Sequence, residues 1–524
     1  MAPYVLVLSD KAIFLFTSVA TQALRIAAMF IMARLLRPED YGLLTLVAIA
    51  PGFFALLGDC GVARALVQYR DLPTEPVEAS GLVVSVTLGL IYAVVYLCSG
   101  IYFFSFGYRV ASALVVHDQR LFWIGLIGGV TVILSTIYSF QMACLNRDLK
   151  FKAESAQNII YSLAVTVTGV GLALVAHWHR AVGVFALALQ PLAAQIVANA
   201  VIYHRHPFRW PSAFRLAMAA KMLGYGWKVT LAQYANNLQQ TIVSAWVAAV
   251  GGPVGLGVYG RATQVSDMFG YSFMNSIDRL LHPLLRSVRD DAERRRGIFV
   301  RGCLGSMLLC GFGWAWLEGT APDLIRVVMG PQWSAVPPLL RIVSITLLTG
   351  GLGIMGIIVT HALGKPLIWL RFGVGGLAML LLCTAVGLVF HRSLTAIAVA
   401  FVIAQVAMSL AIWFWAVRTL NVGRANLAGH LLRLLLVAAA TCGCILLVRR
   451  QFVHQPSLVR LIAGSAVGGL VFLALVILVD RQAITTFRTL VSRRGLSEPP
   501  APQTSPPNVW QGGMEVARYD GPEP

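Results

Sequence analysis

Charge is what this chain has least of. Asp, Glu, Lys and Arg together supply 12% of its 524 residues, about half the ~25% usual in soluble domains. Acidic residues are the scarcest, 22 against 41 basic ones. With 58% hydrophobic residues and a mean hydropathy of +0.75, too little polar surface remains to cover a water-soluble fold of this size. Cysteine is equally uninformative as a framework: the eight are scattered, mostly inside apolar runs. Cys442 and Cys444 lie two apart on a helix and point to different sides, so neither a disulfide nor a metal pair is indicated. His177-Trp178-His179 lacks the further ligands zinc requires and reads as an interfacial anchor around Trp178. No P-loop, Gly-x-Ser-x-Gly elbow or His-Glu-x-x-His motif occurs; no catalytic residue, metal or cofactor is expected. The opening MAPYVLVLSDK has neither a basic leader nor a small-residue cleavage site, so the first apolar run is expected to stay as an anchor.

What the chain does have is long apolar runs. A bilayer crossing takes roughly 20 helical residues. Runs of that size lie near 12–34, 42–64, 80–106, 120–144, 155–177, 181–203, 227–250, 256–285, 297–318, 335–362, 366–390, 394–417, 427–448 and 458–480. They are too long and continuous for the alternating strands of an outer-membrane barrel. The expected fold class is an all-α polytopic membrane protein of about 14 transmembrane helices.

The formal charge of +19 suggests nucleic acid until its distribution is examined. With the N-terminus inside, about 25 Lys and Arg fall in or beside the even-numbered connections and the C-terminal tail, against about 9 in the odd ones. Positive charge on the cytoplasmic side accounts for this, and Arg294-Arg295-Arg296 needs no nucleic-acid partner. The expected location is a bacterial inner membrane, with the N-terminus and tail cytoplasmic.

Two halves are visible. Pro38-Glu39-Asp40-Tyr41-Gly42 and the segment Pro253 to Gly260 occupy corresponding turns, and superposing their Tyr-Gly pairs gives an offset of about 218 residues that also brings Asp59 near Asp278. Duplicated halves around a central cavity are a recurrent transporter plan. The expected organisation is a six-helix lobe at 1–203, a basic amphipathic linker at 204–226, a second, pseudo-symmetric six-helix lobe at 227–417, and two further helices at 418–480. The tail at 481–524 is rich in Pro and poor in apolar residues, which reads as disorder.

The polar residues inside the spans are the candidates for function. Ser18, Gln22 and Arg25 share one helix face. Span seven repeats the pattern with Gln233, Asn236 or Asn237, and Gln240, and span eight carries Arg261, Gln264, Tyr271 and Asn275 along one stripe. An arginine at bilayer depth costs at least about 2.5–3.5 kcal/mol unless it meets a wet cavity or a partner. Arg25 is too deep for easy snorkelling; Arg261 and Arg64 lie nearer span ends and can serve as anchors instead. Asp59, Asp267 and Asp278 are candidates for charge pairing, which is favoured, or for ion coupling. Guanidinium forks match phosphate oxygens, while the amides and Tyr271 suit sugar hydroxyls, although some amides serve helix pairing. The cargo expected is anionic and polar.

The stretch ARLLRPEDYGLLTLVAIAPGFFALLGDCGVARALVQ at 33–68 resembles the first hairpin of bacterial polysaccharide-export flippases, a branch of the multidrug/oligosaccharidyl-lipid/polysaccharide superfamily. The resemblance continues in CLNRDLKFK (144–152), in YANNLQQ and GLGVYGRATQ (234–264), and in MGPQWSAVPPLLRI (329–342). It implies two six-helix lobes with two extra helices, and alternating access that moves an undecaprenyl-diphosphate-linked oligosaccharide between leaflets for exopolysaccharide, capsule or O-antigen synthesis. It also implies that Arg25, Arg64 and Arg261 receive the diphosphate, and that membrane lipids and the polymerase and export machinery are partners. The chain departs from many relatives at Gln239, where they have Asp, and at Ala245-Trp246, where an Arg is usual. Two rivals stand beside this expectation. A cation-coupled drug exporter would favour acidic cavity groups, and an integral-membrane polymerase or glycosyltransferase would need a larger external loop than the roughly 15 residues around 106–119 or 319–334.

Overall fold

In the computed structural model, the described residues are 21–58, 60–68, 74–110, 114–148, 150–179, 182–205, 214–288, 291–363 and 366–479. Helix α1 occupies 21–35. It is followed by α2 (Pro38–Phe53), a 3-10 turn (Ala55–Gly58), α3 (Val62–Gln68), α4 (Thr74–Phe106), α5 (Arg120–Arg147), α6 (Phe151–Trp178) and α7 (Gly183–Arg205). The second half comprises α8 (Leu216–Ser287), α9 (Ala292–Val328), α10 (Val336–Ala362), α11 (Pro366–Phe390), α12 (Leu394–Thr419), α13 (Arg424–Gln451) and α14 (Ser457–Val479). The all-α expectation is met; the strands among the described residues are one antiparallel hairpin, β1 (Tyr108–Val110) with β2 (Leu114–Val116), between α4 and α5.

Among the described residues, eleven helices are long and apolar enough to cross a membrane. The difference from fourteen has local causes. α2 has only 16 residues, and α1 is described only from residue 21. α8 counts once although Gly252, at φ 59° and ψ −159°, divides it. That glycine adopts a conformation L side chains avoid, and Pro253 restarts the helix without a lost donor. The span expected at 42–64 is likewise not one helix. Pro51 and Gly52 end α2, and Cys60 and Gly61 take positive φ of 40° and 71° before α3 begins.

Solvent-side apolarity confirms the medium. Val389, Leu478 and Leu470 are more than 70% exposed, whereas Trp333 and Phe299 are fully buried. In a soluble fold such an outer surface would be unstable; in lipid it is the expected one.

Helices α4–α7 pack on one another, as do α8–α14, and α2 lies along α8 between them. This contact is reciprocal. A Cβ on Gly42 would overlap the carbonyl oxygen of Pro253, and a Cβ on Gly257 would overlap that of Pro38. Each proline opens its helix and each glycine stands four residues on, so these two Pro–Gly pairs correspond at an offset of 215 residues rather than the 218 of the Tyr-Gly superposition. Residues 216–226, expected in a linker, form the first turns of α8, where Ala219 and Met222 are buried against α3, α4 and α5.

α13 and α14 are clamped to α9. Asp323, 2% exposed, accepts from Arg449 Nε at 2.7 Å and pairs with Arg460 Nη2 at 2.8 Å. Trp316 Nε1 donates to Ser465 Oγ at 2.8 Å nearby.

Candidate functional site

The 215-residue step also relates the polar faces singled out in the sequence. Ser18, Gln22 and Arg25 correspond to Gln233, Asn237 and Gln240. Under the same step Asp59 falls on Met274, so its alignment with Asp278 is not part of the repeat. Ser18 and Asp59 lie outside the described residues, as do the side chains of Arg64, Gln233, Asn236, Tyr271 and Asn275.

Arg25 is exposed and Arg261 half-buried. Counting 1.5 Å per helical residue, Arg25 lies about 16 Å from the α1–α2 turn, and Arg261 about 12 Å from Pro253. Arg25 Nε donates to Ser162 Oγ of α6 at 3.1 Å, and its guanidinium carbon stands 5.9 Å from the Tyr161 ring centroid. Arg261 lies 3.8 Å over the ring of Tyr41 from α2, and its Nη1 donates to Gln264 Oε1. A π face and a neutral oxygen stabilise a guanidinium without neutralising it. Among the described residues neither arginine has a carboxylate partner.

Tyr41 and Trp333 then tie Arg261 to the end of α1. The two rings meet edge-on at 5.5 Å. Trp333 Nε1 donates to Ala33 O at 2.7 Å, and Gln332 Nε2 donates to Ala33 O at 3.1 Å and Arg34 O at 3.0 Å. Arg34 Nη2 donates to Val327 O. The α9–α10 turn thereby takes up the carbonyls that α1 leaves open at its C-terminus. The Gly42/Pro253 and Gly257/Pro38 contacts lie at this same end, which is therefore closed.

Each half holds a cavity. One, about 520 Å³, is lined by Ala63 of α3, Tyr138, Ser139, Met142, Ala143 and Asn146 of α5, and Asn158 of α6. Arg64 follows Ala63 directly on α3. The other, about 270 Å³, lies among α8, α10, α11 and α12 and holds Gln240, Asp267, Gln405 and Ser409.

Asp267 therefore faces the second half rather than Arg261, and it has no cation partner among the described residues. Asp278 lies 3.8 Å from His282 Nδ1, whose ring is 5.9 Å from that of His361. Gln22 and Asn237 are exposed, and the Asn237 carbonyl accepts from Thr241. Gln239 is 2% exposed and donates to Gly373 O at 3.2 Å. Its place is a helix-to-helix contact. Sequence reasoning missed Tyr41, Tyr161 and Ser162. Tyr41 and the GPQW turn were in view as quoted motifs, but the α6 partners lie 137 positions from Arg25.

A family model described as "Polysaccharide biosynthesis protein" matches residues 31–338. The chain belongs to that family. Two curated relatives are similar to it. An uncharacterized membrane protein in the cps region of Klebsiella pneumoniae is 24% identical over 327 residues, 60% of this chain and 63% of that protein. The lipopolysaccharide biosynthesis protein WzxC of Escherichia coli K12 is 21% identical over 342 residues, 63% and 64% respectively. The chain thus spans a little under two thirds of the length of both. Among solved structures, the lipid II flippase MurJ in an inward closed conformation matches with TM-score 0.64 at 12% identity, covering 90% of this chain and 99% of that one. An inward-facing multidrug resistance MATE family transporter of the MOP superfamily matches with TM-score 0.58 at 14% identity, covering 76% and 94%. At these identities the likeness is one of fold.

Proposed function

We propose that this protein is a flippase that carries undecaprenyl-diphosphate-linked oligosaccharide repeat units across the bacterial inner membrane by alternating access. The observation that carries this is the pair of intramembrane arginines, Arg25 and Arg261, held by aromatic faces and neutral oxygens with no carboxylate partner among the described residues. Each keeps guanidinium N–H groups for an anion, and a diphosphate supplies oxygens in the matching geometry. The sugars occupy the space between the lobes at 1–203 and 227–417, and the prenyl chain stays in lipid. The helices at 418–480 travel with the second lobe. The family's polysaccharide biosynthesis description and the flippase fold of MurJ support this assignment. The closed end, by the distribution of Lys and Arg, is the periplasmic one, so substrate enters from the cytoplasm. Polymerase and export machinery receive the product. The same fold serves MATE exporters, and Asp267 in the second cavity would suit a cation, but Arg25 and Arg261 favour an anionic cargo over a cationic drug.

The test is leaflet-specific flipping of a fluorescent undecaprenyl-diphosphate oligosaccharide in proteoliposomes. Removing a charge-assisted contact worth about 1.5–3 kcal/mol lowers the rate roughly 10- to 100-fold, so Arg25→Ala and Arg261→Ala are each expected to do so with folding intact. Unchanged rates in both variants would remove the site. Conversion of the lipid-linked sugar to longer products by the wild type would replace the transporter with an enzyme.

A further inference from the structure

A further cavity, about 650 Å³, lies between α11 and α12. These helices are antiparallel neighbours joined by three residues, His391 to Ser393. They meet closely at small residues: a Cβ on Gly387 would stand 3.6 Å from the Ala396 carbonyl oxygen. The walls are mostly apolar, and Leu382, Val386, Val399 and Ile403 on them are exposed. In a membrane-spanning chain such a furrow meets lipid tails.

Its length is that of one leaflet. It runs from Leu382 to His391 on α11 and from Thr395 to Ile403 on α12, about 12–14 Å at 1.5 Å per residue. The hydrocarbon core of a bilayer is about 30 Å thick, so the furrow covers roughly half of it. Its polar mouth lies at the closed end of the bundle, because Leu394 packs on Gly251 and Gly255, either side of the Gly252–Pro253 break.

That mouth carries positive charge which the cytoplasmic bias of Lys and Arg does not explain. Arg392 falls in an odd-numbered connection, where basic residues are scarce. No acidic residue occurs from Gly387 to Thr395, and among the described residues neither His391 nor Arg392 pairs with a carboxylate. Both are exposed; His391 lines the furrow and Arg392 follows it in the turn. Ser393 Oγ is already engaged, accepting from Ala396 N at 3.2 Å and sharing a hydrogen bond with Thr395 Oγ1 at 2.9 Å. What remains for a ligand is the imidazole and the guanidinium, and phosphate oxygens match the latter.

We infer that this furrow holds an anionic phospholipid of the periplasmic leaflet, with one acyl chain between α11 and α12 and the phosphate at His391 and Arg392. The transported lipid is disfavoured as its occupant: Arg25 is held across α1 and α6, and Arg261 across α8 and α2, none of which lines the furrow. Such a site needs the membrane-spanning fold, not the flippase assignment.

The test is native mass spectrometry of the full chain released from nanodiscs of equal phosphatidylglycerol and phosphatidylcholine with matched acyl chains. The wild type is expected to retain phosphatidylglycerol about fivefold over phosphatidylcholine, the size of an exposed charge contact. Arg392→Gln is expected to abolish that preference. Val399→Trp, which fills the furrow from an exposed position, is expected to lower retention of both lipids. Arg450→Gln, at an exposed arginine of another odd-numbered connection, is expected to change neither. Equal retention of the two lipids by the wild type, an unchanged preference in Arg392→Gln, or the same loss in Arg450→Gln would overturn the site. Added undecaprenyl diphosphate that displaces phosphatidylglycerol from the wild type, and is itself lost in Arg392→Gln and Val399→Trp, would give the furrow to the transported lipid and overturn the phospholipid.

Discussion

Substituting Gly42 and Gly257 by alanine should hold the closed end of the bundle open. The new Cβ atoms would overlap the carbonyl oxygens of Pro253 and Pro38. These are backbone atoms at helix starts, so no rotamer change relieves the clash. The helices must part by about an ångström or more to reach the 3.4 Å of ordinary contact. Overpacking of this kind costs about 1–3 kcal/mol, which lowers the population of the closed-end state roughly 5- to 150-fold. One separation relieves both clashes, so the double variant should cost far less than the sum of the singles. Spin labels at exposed Arg37 and Ser334, in a background freed of the eight native cysteines, report the opening as a longer distance by double electron–electron resonance. An unchanged distance distribution in Gly42→Ala/Gly257→Ala would show that this contact does not control closure. Fully additive shifts would show that the two halves do not share it.

Two further substitutions probe the second half. Asp323→Ala leaves Arg449 and Arg460 without their common carboxylate and should destabilise the protein by about 3–5 kcal/mol, read as thermal unfolding in detergent; a loss below about 1 kcal/mol would mean that water already screens the cluster. Asp267→Asn should leave counterflow exchange of lipid-linked sugar intact while cutting ion-gradient-driven flipping about tenfold, a barrier change near 1.4 kcal/mol. Equal loss of both activities would assign the carboxylate to packing.

Hydropathy made the helices legible because each must satisfy its own backbone inside lipid, and a run of apolar residues allows no other regular element. The breaks were signalled too, by Pro51-Gly52, Cys60-Gly61 and Gly252-Pro253, but runs of apolar residues continue across them. The repeat was visible, yet its register was not. The eye is drawn to Tyr41 and Tyr259, whereas packing acts on Pro38, Gly42, Pro253 and Gly257, where backbones meet. Tyr41 in fact lies beneath Arg261, and Tyr259 is buried at 3% exposure. The arginines announced themselves by cost. Their partners did not, because Ser162 and Tyr161 are ordinary helix residues until the fold brings α6 beside α1.

The crossed pairing of Gly42 with Pro253 and Gly257 with Pro38 is an isologous interface, the kind that two identical subunits make about a twofold axis. Both helices start at it and run the same way, so the axis lies along the bundle and the repeats are parallel. Parallel repeats require an even number of crossings in each unit, a condition the proposed six-helix lobes meet. The surface that closes this chain on itself is therefore one that either half could present to a second copy of that half.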